Sequence, residues 1–336
     1  MMITRRHAIR CAAAALLAGL VPRAFAQVIN QNARIVVNFP PGGSTDVIAR
    51  LLADRMRGVY APQVSVENRT GASGRVAVDA VKAGPADGSQ MLLTPCSIMW
   101  LYPHVYARLS YDTLRDFTAV TPVGTVVFAL SVGPAVPPNV KSVADYLQWV
   151  KTDRNNTAYA SPAAGAAPHF VGVMLGRLAG VNLDHVPYDG GARALQALMR
   201  GEVPASINVL SEVIPQLPSG KLRVLAISGT QRSPFLPDVP TFAESGFKDA
   251  TAQEVFGLFV PSKTPTDVVT KLNAVVRDIA NTKDFGDAMA KLSYERASDT
   301  PADFARTVKT ELDRWAAVVK ASGFDRYVPQ PAAATF

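Results

Sequence analysis

Three short stretches of this sequence pair small residues with a helix opening, and together they could hold an anion. Residues 39–45 read Phe-Pro-Pro-Gly-Gly-Ser-Thr, residues 161–167 read Ser-Pro-Ala-Ala-Gly-Ala-Ala, and residues 188–191 read Tyr-Asp-Gly-Gly. Each lies where a strand-like run gives way to a helix-like one. Small side chains let a ligand approach the backbone, and the first turn of a helix offers N–H groups without intrahelical partners and a partial positive charge. A carboxylate-sized anion can bind there without any cationic side chain. The candidate contacts are therefore Phe39, Pro41, Gly42, Gly43, Ser44, Thr45, Ser161, Gly165, Ala166, Tyr188, Asp189 and Gly190, with Ser44, Thr45 and Ser161 as hydroxyl donors. Asp46, in the first turn of the first helix, suits the dipole but would repel an anion unless turned away.

Other chemistries find less support. No G-x-S-x-G elbow and no GxxxxGK[ST] loop occurs, and Gly71-Ala72-Ser73-Gly74 is not the dinucleotide fingerprint. No His/Cys spacing fits a metal, so neither metal nor cofactor is expected. His169 falls in a first helical turn beside one candidate loop, where it could orient a ligand, act as a base or simply pack; His185 reads as structural. An exported hydrolase using His169 with Ser161 or Ser44 is the rival reading. The carboxylates are scattered, with no pair spaced for acid–base work.

The elements that must position these loops alternate. Strand-like runs at 34–39, 64–67, 91–94, 126–132, 158–161, 222–228 and 256–260 alternate with helical periodicity at 75–82, 143–152, 169–178 and 192–200. Further helices open at Ser44-Thr45 and Pro265-Thr266, and a last one runs over 301–322. Ser142 is placed to cap one helix, and Gly180 and Gly201 to stop two others. Such alternation predicts parallel βα units, hence an α/β sheet covered on both faces with ligands at the carboxyl ends of strands.

The N-terminus sets the compartment. Arg5, Arg6 and Arg10 precede an apolar run at 12–21, and Ala24-Phe25-Ala26 is a small-x-small cleavage pattern. Residues 1–26 read as a secretory leader by the Sec or twin-arginine route, with Gln27 as the mature start. The whole chain carries 34 basic and 27 acidic residues, net +7; four of the arginines lie in the leader, leaving 30 against 27, a net +3. No clustered basic face remains to suggest nucleic acid. Only Cys96 survives cleavage, so no internal disulfide can form, and a core must hold the roughly 310 remaining residues, enough for two domains.

Several segments, in order, resemble one family. Residues 35–46 (Ile-Val-Val-Asn-Phe-Pro-Pro-Gly-Gly-Ser-Thr-Asp), 66–74 (Val-Glu-Asn-Arg-Thr-Gly-Ala-Ser-Gly), 185–191 (His-Val-Pro-Tyr-Asp-Gly-Gly), 219–226, 232–241 and 256–261 are similar to signatures of the substrate-binding proteins of tripartite tricarboxylate transporters, the Bug receptors. The resemblance implies a two-lobed type II periplasmic-binding-protein-like fold with a ligand cleft between the lobes, one lobe being 27–125 plus 252–336 and the other 126–251. It also implies a monomer that hands a small organic carboxylate to a large and a small membrane subunit, with no enzymatic activity. A sensing receptor uncoupled from transport is the variant reading. Ser97, Ile98, His169 and Asn208 join the candidate contacts on this basis.

The sequence departs from the family at pocket positions. Ala166 stands where a hydroxyl residue is usual, Asp189 replaces a Lys or Arg, Val255 an aromatic and Pro204 an Asp. The loop after the third strand reads Pro95-Cys96-Ser97-Ile98-Met99-Trp100 in place of small or hydroxyl residues. Lost hydroxyls and added apolar bulk imply an aromatic or longer aliphatic carboxylate, less polar than citrate.

Overall fold

The computed structural model describes residues 27–326; the leader assigned to 1–26 lies outside the described residues. Ten strands are β1 (Ala33–Val37), β2 (Val64–Asn68), β3 (Gln90–Pro95), β4 (Phe117–Val132), β5 (Ala158–Ser161), β6 (Asp184–Pro187), β7 (Ala205–Val209), β8 (Arg223–Ile227), β9 (Gln253–Pro261) and β10 (Glu295–Arg296). The helices are α1 (Ser44–Met56), α2 (Arg75–Lys82), α3 (Ser97–Trp100), α4 (Tyr102–Val105), α5 (Thr113–Asp116), α6 (Val143–Val150), α7 (Ala167–Ala179), α8 (Gly191–Met199), α9 (Leu210–Val213), α10 (Thr266–Asn281), α11 (Lys283–Lys291) and α12 (Pro301–Ser322).

The strands run β2-β1-β3-β9-β4-β7-β5-β6, with β8 and β10 also paired to β4. The fold is two-lobed and α/β, and β4 is the strand both lobes share. Its first part, 117–127, pairs with β9; its last part, 128–132, pairs with β7 and β8. The expectation of parallel pairing holds for β1 with β2 and β3, and for β5 with β6 and β7. It fails for β9 and β4, which run antiparallel to their neighbours because the chain crosses back between lobes there. The sheet is therefore mixed.

Inner strands β3 and β7 are buried along their whole length, as strands covered on both faces must be. α1 buries Ile48, Ala49, Leu52, Ala53 and Met56, one stripe at helical spacing. α6 opens on the capping box Ser142/Asp145, and α7 ends at Gly180, whose φ of 64° only glycine adopts cheaply. α12 packs Phe304, Val308, Trp315 and Val319 inward, and Trp315 meets Phe170 of α7 edge-on at 5.9 Å.

One buried serine ties the crossing segments together. The Ser228 hydroxyl accepts from the Phe128 N–H at 2.9 Å and donates to the Ala252 carbonyl at 2.6 Å. Its backbone pairs with the same two residues. β4, the end of β8 and the entry to β9 are thus clasped at one point.

Candidate functional site

The carboxyl ends of the strands converge on a cleft of about 250 Å³. From the loop between β1 and α1 come Phe39, Pro40, Pro41, Gly43, Ser44 and Thr45, and from the end of β3 come Pro95, Ser97 and Ile98. The loop after β5 gives Pro162, Ala163, Ala166 and Pro168, and the entry to α8 gives Asp189, Gly190, Gly191, Ala192 and Arg193. The floor is Phe128, Val209 and Phe256, with the carboxyls of Glu212 and Glu254.

The β1–α1 loop is bound up within the protein. Gly42, at φ +83°, donates its N–H to Asp46 Oδ2 at 2.9 Å. Asp46 also accepts from Arg50 Nε and Nη2 and from Asn68 Nδ2, at 2.8–2.9 Å. Burial alone would raise the Asp46 pKa, but these hydrogen bonds outweigh it and hold the carboxyl below its ordinary range. Asp46 is therefore turned away from the cleft. At the helix start, the Ser44 N–H and Oγ–H both donate to Glu212 Oε1, at 3.0 and 2.6 Å. The helix end that sequence reasoning offered to a ligand is occupied by a carboxylate of α9.

Glu254, on the other side of the floor, accepts from the Ser97 N–H at 3.2 Å and from Ser97 Oγ at 2.9 Å. Complete burial pushes its pKa up to about 7 against those hydrogen bonds. Ile98 is pinned through its carbonyl by the Tyr111 hydroxyl at 2.5 Å. Met99, Trp100, Leu101 and Tyr102 are core and do not reach the cleft.

In the β5–α7 loop, Gly165 at φ +76° donates its N–H to His169 Nδ1 at 3.0 Å. His169 is buried, stacked on His185 at 3.6 Å and edged by Phe324, and desolvation pushes its pKa down to about 3. It does not line the cleft; it orders the loop that does. Ser161 Oγ meets His185 Nε2 at 2.7 Å, not His169, and Ser44 is held by Glu212, so neither hydrolase pairing forms. Desolvation and the neighbouring His169 keep His185 neutral as well. Tyr188 is half-buried beside the cleft, and its N–H donates to the Ser161 carbonyl. Asn208 is fully buried below Gly191, donating to Ser206 Oγ at 2.8 Å. Gly42 sits on an adjoining cavity.

Of the candidate contacts, Phe39, Pro41, Gly43, Ser44, Thr45, Ser97, Ile98, Ala166, Asp189 and Gly190 share the cleft wall; Gly42, Asp46, Ser161, Gly165, His169, Tyr188 and Asn208 stand behind or beside it. Sequence reasoning missed Phe128, Val209, Phe256, Arg193 and both buried glutamates. Phe256 lay in an expected strand, so alternation along it could have pointed inward. Nothing in the local sequence marked Glu212 or Glu254.

A model of the tripartite tricarboxylate transporter family receptor matches residues 48–324. The chain belongs to that family. The receptor is also similar to solved structures. One is Rpa4515 of R. palustris with adipate, 32% identical over 88% of this chain and 99% of that one, with a TM-score of 0.84. A second is MatC from Rhodopseudomonas palustris with bound malate, 28% identical over 86% and 99%, TM-score 0.79. A third is the periplasmic binding protein BugD, 30% identical over 89% and 100%, TM-score 0.81. The receptor is thus a solute-binding protein of the Bug group and not an enzyme. Among its described residues, no helix is long and apolar enough to cross a membrane.

Proposed function

We propose that the receptor works in the periplasm, exported by a leader cleaved before Gln27, and captures a small organic carboxylate in the cleft. It then delivers that ligand to a transporter of one large and one small membrane subunit. The lobes on either side are taken as 27–125 with 252–336, and 126–251, closing about the Ser228 clasp as the ligand stabilises the closed state. The observation that carries this reading is the cleft itself. Phe39, Ile98, Phe128, Ala163, Val209 and Phe256 make an apolar chamber beside the first turn of α8, where Ala192 and Arg193 offer N–H groups without intrahelical partners. The similarity to receptors solved with adipate and malate supports a carboxylate, and the apolar wall supports one less polar than citrate.

Isothermal titration checks this. Aliphatic or aromatic acids of six to eight carbons bind, and citrate binds at least tenfold more weakly. Tight citrate binding with no response to the apolar acids would overturn it.

A further inference from the structure

We infer that Glu212 is a built-in occupant of the anion subsite, and that it sets the receptor's specificity toward acids carrying an N–H donor and against dicarboxylates. The inference rests on the reading of this cleft as a carboxylate site and names which carboxylates enter it.

Two helix ends meet around Glu212. Its Oε1 takes both donors of Ser44 at the start of α1. Its Oε2 lies against Gly191, the first residue of α8, so closely that a side chain there would collide: a Cβ built on Gly191 falls 1.7 Å from Oε2. The carboxylate therefore closes the start of α1 and abuts the start of α8, narrowing the place where a ligand anion would otherwise find the most favourable field. It does so from α9, at the end of β7, and so reaches across the cleft to α1.

Oε2 is the second observation. It is buried and accepts no hydrogen bond, and Glu212 lines both the cleft and the adjoining cavity. A buried acceptor without a partner is costly, and more so when charged. A ligand N–H removes that cost. A second ligand carboxylate brings no donor to that oxygen, and a further negative charge is disfavoured where burial already raises the Glu212 pKa against the two Ser44 hydrogen bonds. The rest of the wall points the same way. Asp189 is also acidic, Glu254 brings no positive charge, and Arg193, the single cationic side chain among the described wall residues, is already paired with Asp189 at 3.4 Å.

The experiment compares matched acids on the purified receptor by isothermal titration: adipate against 2- and 6-aminohexanoate, and terephthalate against 4-(aminomethyl)benzoate. In the wild type at least one amino acid of a pair binds at least tenfold more tightly than its dicarboxylate. In Glu212→Ser, which frees the Ser44 donors, and in Glu212→Gln, which places an amide there, that ratio falls by at least tenfold. Reading the ratio within each folded variant, with circular dichroism as the check, separates specificity from a loss of stability. Wild type preferring the dicarboxylates, or a ratio unmoved within twofold by both substitutions, overturns the inference and leaves the carboxylate reading standing. A wild type that binds none of the five acids contradicts both.

Discussion

The loop from β1 into α1 and the loop from β6 into α8 carry the same local signature, two glycines before a helix, yet they do opposite things. In the first, the Gly42 N–H is taken by Asp46, and the Ser44 N–H and hydroxyl are taken by Glu212. In the second, Gly190 spends its N–H on the Pro162 and Tyr188 carbonyls, while Gly191, Ala192 and Arg193 begin α8 on the cleft wall. One helix end gives its donors to Glu212; at the other, Glu212 Oε2 abuts Gly191 without accepting a hydrogen bond, and Ala192 and Arg193 stay on the cleft wall. The difference lies in a residue 168 positions from Ser44, not in either loop. Gly-rich helix openings of equal quality can thus be structural or functional, and the deciding group is found only by tracing where each N–H donates.

The comparison can be broken most sharply at Gly191. Its φ is ordinary, so Gly191→Ala acts by contact alone: the new methyl must expel the Glu212 carboxylate and also presses on Asn208 Oδ1, 2.9 Å away. The expected result is a loss of at least tenfold in ligand affinity and a drop in stability of about 2–4 kcal/mol, the range for disturbing a buried charged hydrogen-bonding group. Adding Glu212→Ala should restore much of that stability in urea melts. If it does not, Gly191 is not there to make room for Glu212.

Glu254 gives the next largest effect. Its pKa rises from 4.5 to about 7 on folding, so the folded state favours the protonated form. The stabilisation is fully present below 4.5 and is lost as pH climbs through 7. The groups facing it, Ser97, Cys96 and Tyr102, supply no positive charge, and burial raises the Cys96 and Tyr102 pKa values well beyond this window. Wild type should therefore lose, between pH 5 and pH 8, on the order of 3 kcal/mol relative to Glu254→Gln. Denaturant melts of both proteins at the two pH values measure it. Equal pH dependence in the two would mean that Glu254 is ionised throughout.

Asp189 should matter least. Its side chain is 80% exposed and its pairing with Arg193 is a surface one, so Asp189→Ala should change stability by less than about 0.5 kcal/mol. Freeing Arg193 beside the open helix end should still tighten binding of a simple monocarboxylate such as hexanoate two- to threefold. The same substitution would leave binding unchanged if Arg193 plays no part in the open site.

Local patterns carried most of the fold. The bounds of α2 and α12, the Ser142 cap and the Gly180 stop follow from short-range rules and appear as expected. The first part of β4 did not, because Pro122 and Gly124 read as breakers; both sit at register shifts that the pairing with β9 accommodates. β7 was missed because Ser206 and Asn208 interrupt its apolar run, although both are fully buried and hydrogen-bonded. The loops lining the cleft were readable from their small residues. The two floor glutamates were not, because their partners Ser44 and Ser97 lie 168 and 157 residues away, a distance no local pattern spans.

Native mass spectrometry of the receptor, purified from the periplasm without unfolding, tests the account most directly. The account predicts a retained small molecule with one carboxylate, at least one N–H donor and a largely hydrocarbon body, lost from Gly191→Ala. Retention of citrate or another polycarboxylate by the wild type would contradict it.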